Sequence, residues 1–164
     1  MRRHLFCLLL TTSLLLSACR WPEVKDGATP SPTPTVTPPT EVNITVPHEG
    51  GKVKQTEMVK GTSRSIAGGQ VIWVVVFVHK AGMYYPQNQP ADIQANGDWT
   101  SVTYFGVPTD VNMTFDAIAV LADQAGQKAF NTYLGEARNK NDYPGLERLP
   151  DGVKIYSRVS VTRQ

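Results

Sequence analysis

Two histidines lie beyond the apolar N-terminus: His48 in "PHEGG" and His79 at the end of "VIWVVVFVH". Histidine is the side chain that exchanges protons near neutral pH and ligates metals. His48 stands in a turn beside Glu49, where a solvated ring is expected, and His79 is expected at a sheet rim next to Lys80. Asp92, Asp98, Asp110, Asp116 and Asp123 are spread over the middle of the chain. A carboxylate pair within about 5–10 Å can cleave a glycosidic bond, but nothing in this spacing requires two of them to meet. Asp98 is expected to shape its hairpin and Asp123 its turn. A calcium site needs a cluster of oxygen ligands, and none is visible around Asp123. The chain has no Gly-x-Ser-x-Gly elbow, His-Glu-x-x-His, phosphate-binding glycine loop or Cys-x-x-Cys. No catalytic residue, metal ligand or dissociable cofactor is therefore assigned.

The aromatic residues offer recognition rather than reaction. "GMYYPQNQP" (82–90) gathers Tyr84, Tyr85, Gln87 and Asn88 with two prolines. Flat rings stack on a sugar or peptide, and amides donate and accept hydrogen bonds without desolvating a charge. These four residues form the candidate binding tip. Successive strand side chains point to opposite faces, so one tyrosine is expected in the core and the other at the surface. Trp73 and Trp99 are expected as plugs between sheets.

The two cysteines are Cys7, inside an apolar run, and Cys19, just after it. The remainder has none, so neither a disulfide nor a thiolate metal site is available to it. Residues 1–18 read as a cleaved signal peptide: Arg2 and Arg3, then "LFCLLLTTSLLL", then small residues. The apolar stretch is short for a membrane span of about 20 residues. Leu16, Ser17, Ala18 and Cys19 resemble the lipobox of bacterial lipoproteins. The resemblance implies cleavage between Ala18 and Cys19 and acylation of Cys19, with chains such as palmitate as the only covalent group. It implies a protein of the bacterial cell envelope, held to a membrane through lipid, with its folded part outside the cytoplasm.

Sixteen basic residues stand against fourteen acidic ones. Arg2 and Arg3 precede Cys19 and no acidic residue does, so a chain starting at Cys19 has no formal net charge. Without a basic surplus there is no electrostatic case for nucleic acid as a partner.

Residues 19–41 carry the lipidated cysteine and a Pro/Thr-rich tether, densest from Thr29 to Thr40. Proline-rich chain favours extended polyproline II, at about 3.1 Å per residue. Such a tether spans up to roughly 70 Å if fully extended.

Residues 42–164 are expected to form one mainly β domain. "VNITV" alternates, "KVKQTEMVKGTS" alternates more weakly, and Asn96-Gly97 is a strong hairpin signal. "VIWVVVFV" (71–78) is apolar throughout, which suits a central strand covered on both faces. Met113, Phe115, Ala117, Ala119 and Leu121 share one strand face, as do Val153, Ile155, Ser157, Val159 and Val161. Phe130, Tyr133, Leu134 and Ala137 recur at helical spacing and predict a short helix over 127–139, docked on the second face of strand 71–78. Short strands punctuated by Gly, Pro and Asn predict an antiparallel β-sandwich with one short helix before the last strand.

Gly61 and Thr62, Gly97 and Trp99, and Asp123 and Gly126 resemble the signature of bacterial immunoglobulin-like modules: a Gly-small pair ending a strand, a Gly-x-Trp hairpin, and a late strand closing on Asp-x-x-Gly. The helix and the loop 142–152 depart from a simple repeat of that kind. The resemblance implies an immunoglobulin-like sandwich used as a spacer, adhesion unit or accessory domain, without implying an activity. The expected function is a non-catalytic surface lipoprotein that binds an envelope protein or glycan. The alternatives are an envelope glycan-acting enzyme or enzyme subunit, whose carboxylates would converge in a cleft, and a surface-displayed inhibitor inserting the 82–90 tip.

Overall fold

The computed structural model describes residues 38–164, so the expected signal peptide, Ala18, Cys19 and nearly all of the expected tether lie outside the described residues. The domain is built from nine strands and one helix: β1 (Glu41–Val46), β2 (Gly51–Val53), β3 (Thr56–Arg64), β4 (Val71–Val78), β5 (Met83–Pro86), β6 (Asp92–Ile93), β7 (Asp98–Tyr104), β8 (Thr114–Ala122), α1 (Gln124–Lys140) and β9 (Val153–Arg163). One sheet runs β1-β3-β7-β6 and the other β2-β9-β8-β4-β5. This is the strand order of an immunoglobulin-type sandwich, with an added strand at each edge of the second sheet, β2 and β5.

All pairings are antiparallel except β2 with β9, which is parallel. The weakly alternating stretch after Gly51 is therefore two strands. Lys52 and Val53, with Gly51, form β2 in the second sheet, and Gln164 N–H extends that pairing to the Val53 carbonyl.

The apolar run of β4 is explained by two separate cores. Ile72, Val74 and Val76 face the first sheet and pack with its Val42, Val59 and Trp99 and with Phe115 of β8. Trp73 and Val75 face the other way, beneath Phe130 and Leu134 of α1. Three layers thus bury β4 from both sides, as its sequence predicts. Trp99 plugs the space between the sheets, whereas Trp73 packs under the helix, its ring centroid 5.2 Å from that of Phe130. The Trp73 indole N–H finds an acceptor in the Gln87 carbonyl at 2.6 Å, as a buried tryptophan requires.

The helix starts three residues before the predicted position. Asp123 is its N-cap, accepting from Ala125 N–H at 2.9 Å and Gly126 N–H at 3.0 Å. A side chain expected to shape a turn instead satisfies two of the helix's free N–H groups. Gly126, Phe130, Leu134 and Ala137 form the buried face of α1, and Asn141 closes the helix in the left-handed conformation.

The last strand corrects a second expectation. Ala119 pairs with Ser157 and Val120 with Ile155, so Tyr156 is the extra residue of a β-bulge. A bulge reverses the facing of the residues beyond it. Val159 and Val161 join the inter-sheet core, Val153 joins the helix-side core, and Ile155 is left exposed.

A tyrosine-lined cleft at the edge of the sandwich

The second sheet continues past β4 into β5, while the facing edge of the first sheet ends in β7 and the short β6. Between β5 and the end of β7 the sandwich opens into a cleft of about 690 Å³. Its floor is aliphatic: Val76 and Val78 from β4, Pro86 from β5 and Met113 before β8. Its walls carry Tyr85, Tyr104, Tyr133 and Tyr143, four of the chain's six tyrosines. They come from β5, β7, α1 and the loop after α1.

Each wall has a local cause. The β4–β5 hairpin turns through Lys80, Ala81 and Gly82, with Gly82 N–H bonded to the Val78 carbonyl at 2.8 Å. Gly82 has φ 67°, a conformation glycine enters without steric cost. Gln87 is buried and ties the cleft together, accepting from Tyr104 N–H at 2.8 Å and donating to the Tyr85 carbonyl at 3.2 Å. On the far rim Asp110 accepts from Val107 N–H at 2.8 Å. The buried Arg163 guanidinium donates to the carbonyls of Val107 and Pro108, which holds the same rim to the last strand. The loop after α1 is fastened by a two-bond bridge between Tyr84 and Leu146, and at Gly145 it lies against Met83 and the Tyr85 ring, leaving no room for a side chain.

The predicted tip is thereby divided. Tyr85, Gln87 and Asn88 line the cleft, whereas Tyr84 points to the helix side and packs at a tilt on Phe77, ring centroids 4.8 Å apart. The two tyrosines do face opposite ways, but both are half-buried. Gln87 acts as a brace. The Asn88 carbonyl accepts from Arg138 of α1 at 3.0 Å. Tyr104, Tyr133 and Tyr143 were not singled out by sequence, because 19, 29 and 10 positions separate successive members of this set and no local pattern links them. The surplus of tyrosine after residue 80 was the available signal.

Tyr133 carries the one clear electrostatic perturbation among the described residues. Burial raises its pKa above the ordinary 10.0; the Gly145 backbone lowers it part-way, and Tyr85, Tyr143 and Asp142 add to the rise. The hydroxyl is buried and makes no hydrogen bond of good geometry. It stays protonated at neutral pH and remains a donor in need of an acceptor.

A second polar cluster lies on the helix-side face of the second sheet, beyond the end of α1. Asp116 is 2% exposed and accepts from Ser160 Oγ at 2.6 Å and Arg158 Nη1 at 3.3 Å, and contacts His79 Nε2 at 2.8 Å. The types are those of a hydrolytic triad but the connectivity is not, because the serine hydroxyl is bonded to the aspartate and not to the histidine. The arrangement satisfies a buried carboxylate. His79 stands at the rim, its side chain 47% exposed. His48 is exposed in its turn, and the neighbouring Glu49 accepts from Ser160 N–H at 2.9 Å. Asp92 and Asp98 bond to Gln94 and Asn96 within their own hairpin. Among the described residues no group of three or more His, Cys, Asp or Glu is placed to hold a metal ion.

No family model matches the chain, and no curated protein matches it.

Proposed function

We propose that this chain is an envelope lipoprotein that displays a non-catalytic binding domain, with the tyrosine-lined cleft as its binding site. The reading combines the lipobox-like order of residues 1–19 with a sandwich that presents a concave, aromatic surface. Cys19 carries the lipid anchor, the Pro/Thr-rich segment sets the distance from the membrane, and the cleft takes the ligand. The observation that carries it is the convergence of Tyr85, Tyr104, Tyr133 and Tyr143 on one opening. Tyrosine offers large contact area with a polar tip and is enriched where proteins recognise ligands.

The glycan-cleaving alternative is less well supported. Asp110 is the one carboxylate lining the cleft, and it is engaged by the Val107 N–H. A pair of carboxylates facing a scissile bond would need a second. The inhibitor alternative wants a protruding tip, whereas Pro86 and Gln87 are buried in the wall.

The test is photo-crosslinking in intact cells, with a benzophenone residue at Tyr143, which is 44% exposed at the cleft, and a control at Lys154 on the far strand β9. Capture of one species from position 143 and not from 154 supports the reading. Equal capture at both positions, or capture at neither, counts against the cleft as the binding site.

A further inference from the structure

Tyr104, Val107 and Tyr143 line the cleft and are 47%, 56% and 44% exposed. Large apolar side chains gathered in water around a concavity mark an interaction surface. The polar groups of the lining are of both kinds. Lys80 and the Asn88 amide can donate, and Asp110 presents a carboxylate; neither Lys80 nor Asp110 forms an ion pair among the described residues. An ion of either sign would be attracted by one of these two charges and repelled by the other. A neutral chain that carries both acceptors and hydroxyls can use the donors and the carboxylate alike.

Proline-rich chain has that chemistry. Its rings are apolar, it has few N–H groups to strand over the aliphatic floor of Val78, Pro86 and Met113, and its carbonyls accept hydrogen bonds. Aromatic-lined grooves take polyproline II segments on these terms. Residues 29–40 of this chain, "TPSPTPTVTPPT", hold five prolines, five threonines and no charged residue. Their carbonyls suit the Asn88 amide and the hydroxyls of Tyr104 and Tyr143, and their threonine hydroxyls suit Asp110.

The cleft that receives this segment belongs to another copy. Tyr104 pairs with Thr56 at one end of β3, whereas Glu41 pairs with Arg64 at the other, and there Thr40 Oγ1 donates to the Ser65 carbonyl at 2.8 Å. The two ends of β3 lie roughly 27 Å apart at about 3.4 Å per residue. Running back that far from Thr40 takes roughly nine residues of polyproline II at about 3.1 Å each. The proline-dense stretch would be spent on the way to its own cleft, a limit that a neighbouring copy's cleft does not impose.

We propose that the cleft of one copy receives the Pro/Thr-rich segment 29–40 of a second copy, with prolines against Tyr104 and Tyr143 and over the aliphatic floor. This rests on the reading of the cleft as the binding site and names its partner. Copies anchored through Cys19 share one surface, which raises the effective concentration of segment and cleft.

The experiment uses two differently tagged forms of the full chain made in the same cells, one of them carrying the benzophenone residue at Tyr143. The expected result is a photoproduct that joins position 143 of the first form to residues 29–40 of the second, located by mass spectrometry. Replacing Pro30, Pro32 and Pro34 together by alanine in the second form, at positions that precede the described domain, should lower that product severalfold. Tyr104→Ala in the first form should lower it roughly fivefold or more, as for an aromatic anchor at an interface, and Tyr104→Phe, which keeps the ring, should retain most of it. A product confined to single copies, or one unchanged by the three proline substitutions, overturns the proposal. Capture of a different protein or of a glycan from position 143, with no link between copies, overturns this partner while the cleft stands as the binding site. Capture at neither position 143 nor position 154 overturns both.

Discussion

Gln87 accepts a hydrogen bond from the Tyr104 backbone N–H at 2.8 Å, and so joins the edge of one sheet to the end of the other across the back of the cleft. The same amide donates to the Tyr85 carbonyl at 3.2 Å. Gln87→Leu keeps the volume roughly but leaves the Tyr104 N–H unpaired. The loss expected for a stranded, partly buried donor is about 2 kcal/mol. A urea titration of parent and variant gives the difference directly. Equal midpoints would show that water replaces the amide and that Gln87 is not the brace of the cleft.

Gly61 lies directly opposite Trp99 in the β3–β7 ladder, and the indole occupies the space where a side chain would sit. A methyl group at Gly61 would meet both the Trp99 ring and the Asn43 carbonyl. The indole cannot move outward without breaking its bond from Nε1 to the Thr62 carbonyl at 3.1 Å. Gly61→Ala is expected to cost about 3 kcal/mol by overpacking, seen as a lower thermal midpoint and a changed near-UV tryptophan signal. A variant as stable as the parent would mean the β1 edge gives way instead.

That contact also shows how much could be read in advance. The Gly-small pair and the Gly-x-Trp hairpin look like two separate local motifs in sequence. In the fold they are one feature: Gly61 makes room for Trp99, Trp99 bonds Thr62, and the Gly97 carbonyl accepts from Ser63 N–H at 2.7 Å. Alternation and apolar runs located the long strands and the doubly covered β4, because burial acts on every residue of a strand. The reversal in β9 was illegible, because a bulge is a pairing event and leaves no mark on the strand's own pattern. The cleft was legible only at Tyr85, Gln87 and Asn88. Tyr104, Tyr133 and Tyr143 reach it through sheet pairing and helix docking, which no local spacing encodes.

Tyr133 should give the domain a distinct alkaline response. Burial holds its folded pKa above the unfolded value of 10.0, so the folded state keeps a proton that the unfolded state releases. The contribution is fully present below about pH 10 and is lost as pH rises through the raised folded value. Tyr133→Phe removes this ionisation. Thermal melts at about pH 9 and pH 11 should show a smaller alkaline loss of stability in the variant than in the parent, because the variant no longer carries the raised Tyr133 ionisation. Identical losses would mean that Tyr133 ionises with the same ease in both states.

The anchor is tested at Cys19, which lies outside the described residues. An attached acyl chain contributes about 0.8 kcal/mol per buried CH₂, and a single chain holds a protein only reversibly, so durable attachment needs more than one. Cells fed radiolabelled palmitate should label the parent and not Cys19→Ser. Intact mass should show the parent without residues 1–18 and heavier by its acyl groups, while Cys19→Ser keeps the N-terminal segment, because cleavage in lipoproteins follows modification of the thiol. A parent protein cut elsewhere and free of label would make residues 1–18 an ordinary secretory signal, leaving the cleft domain without a membrane tether.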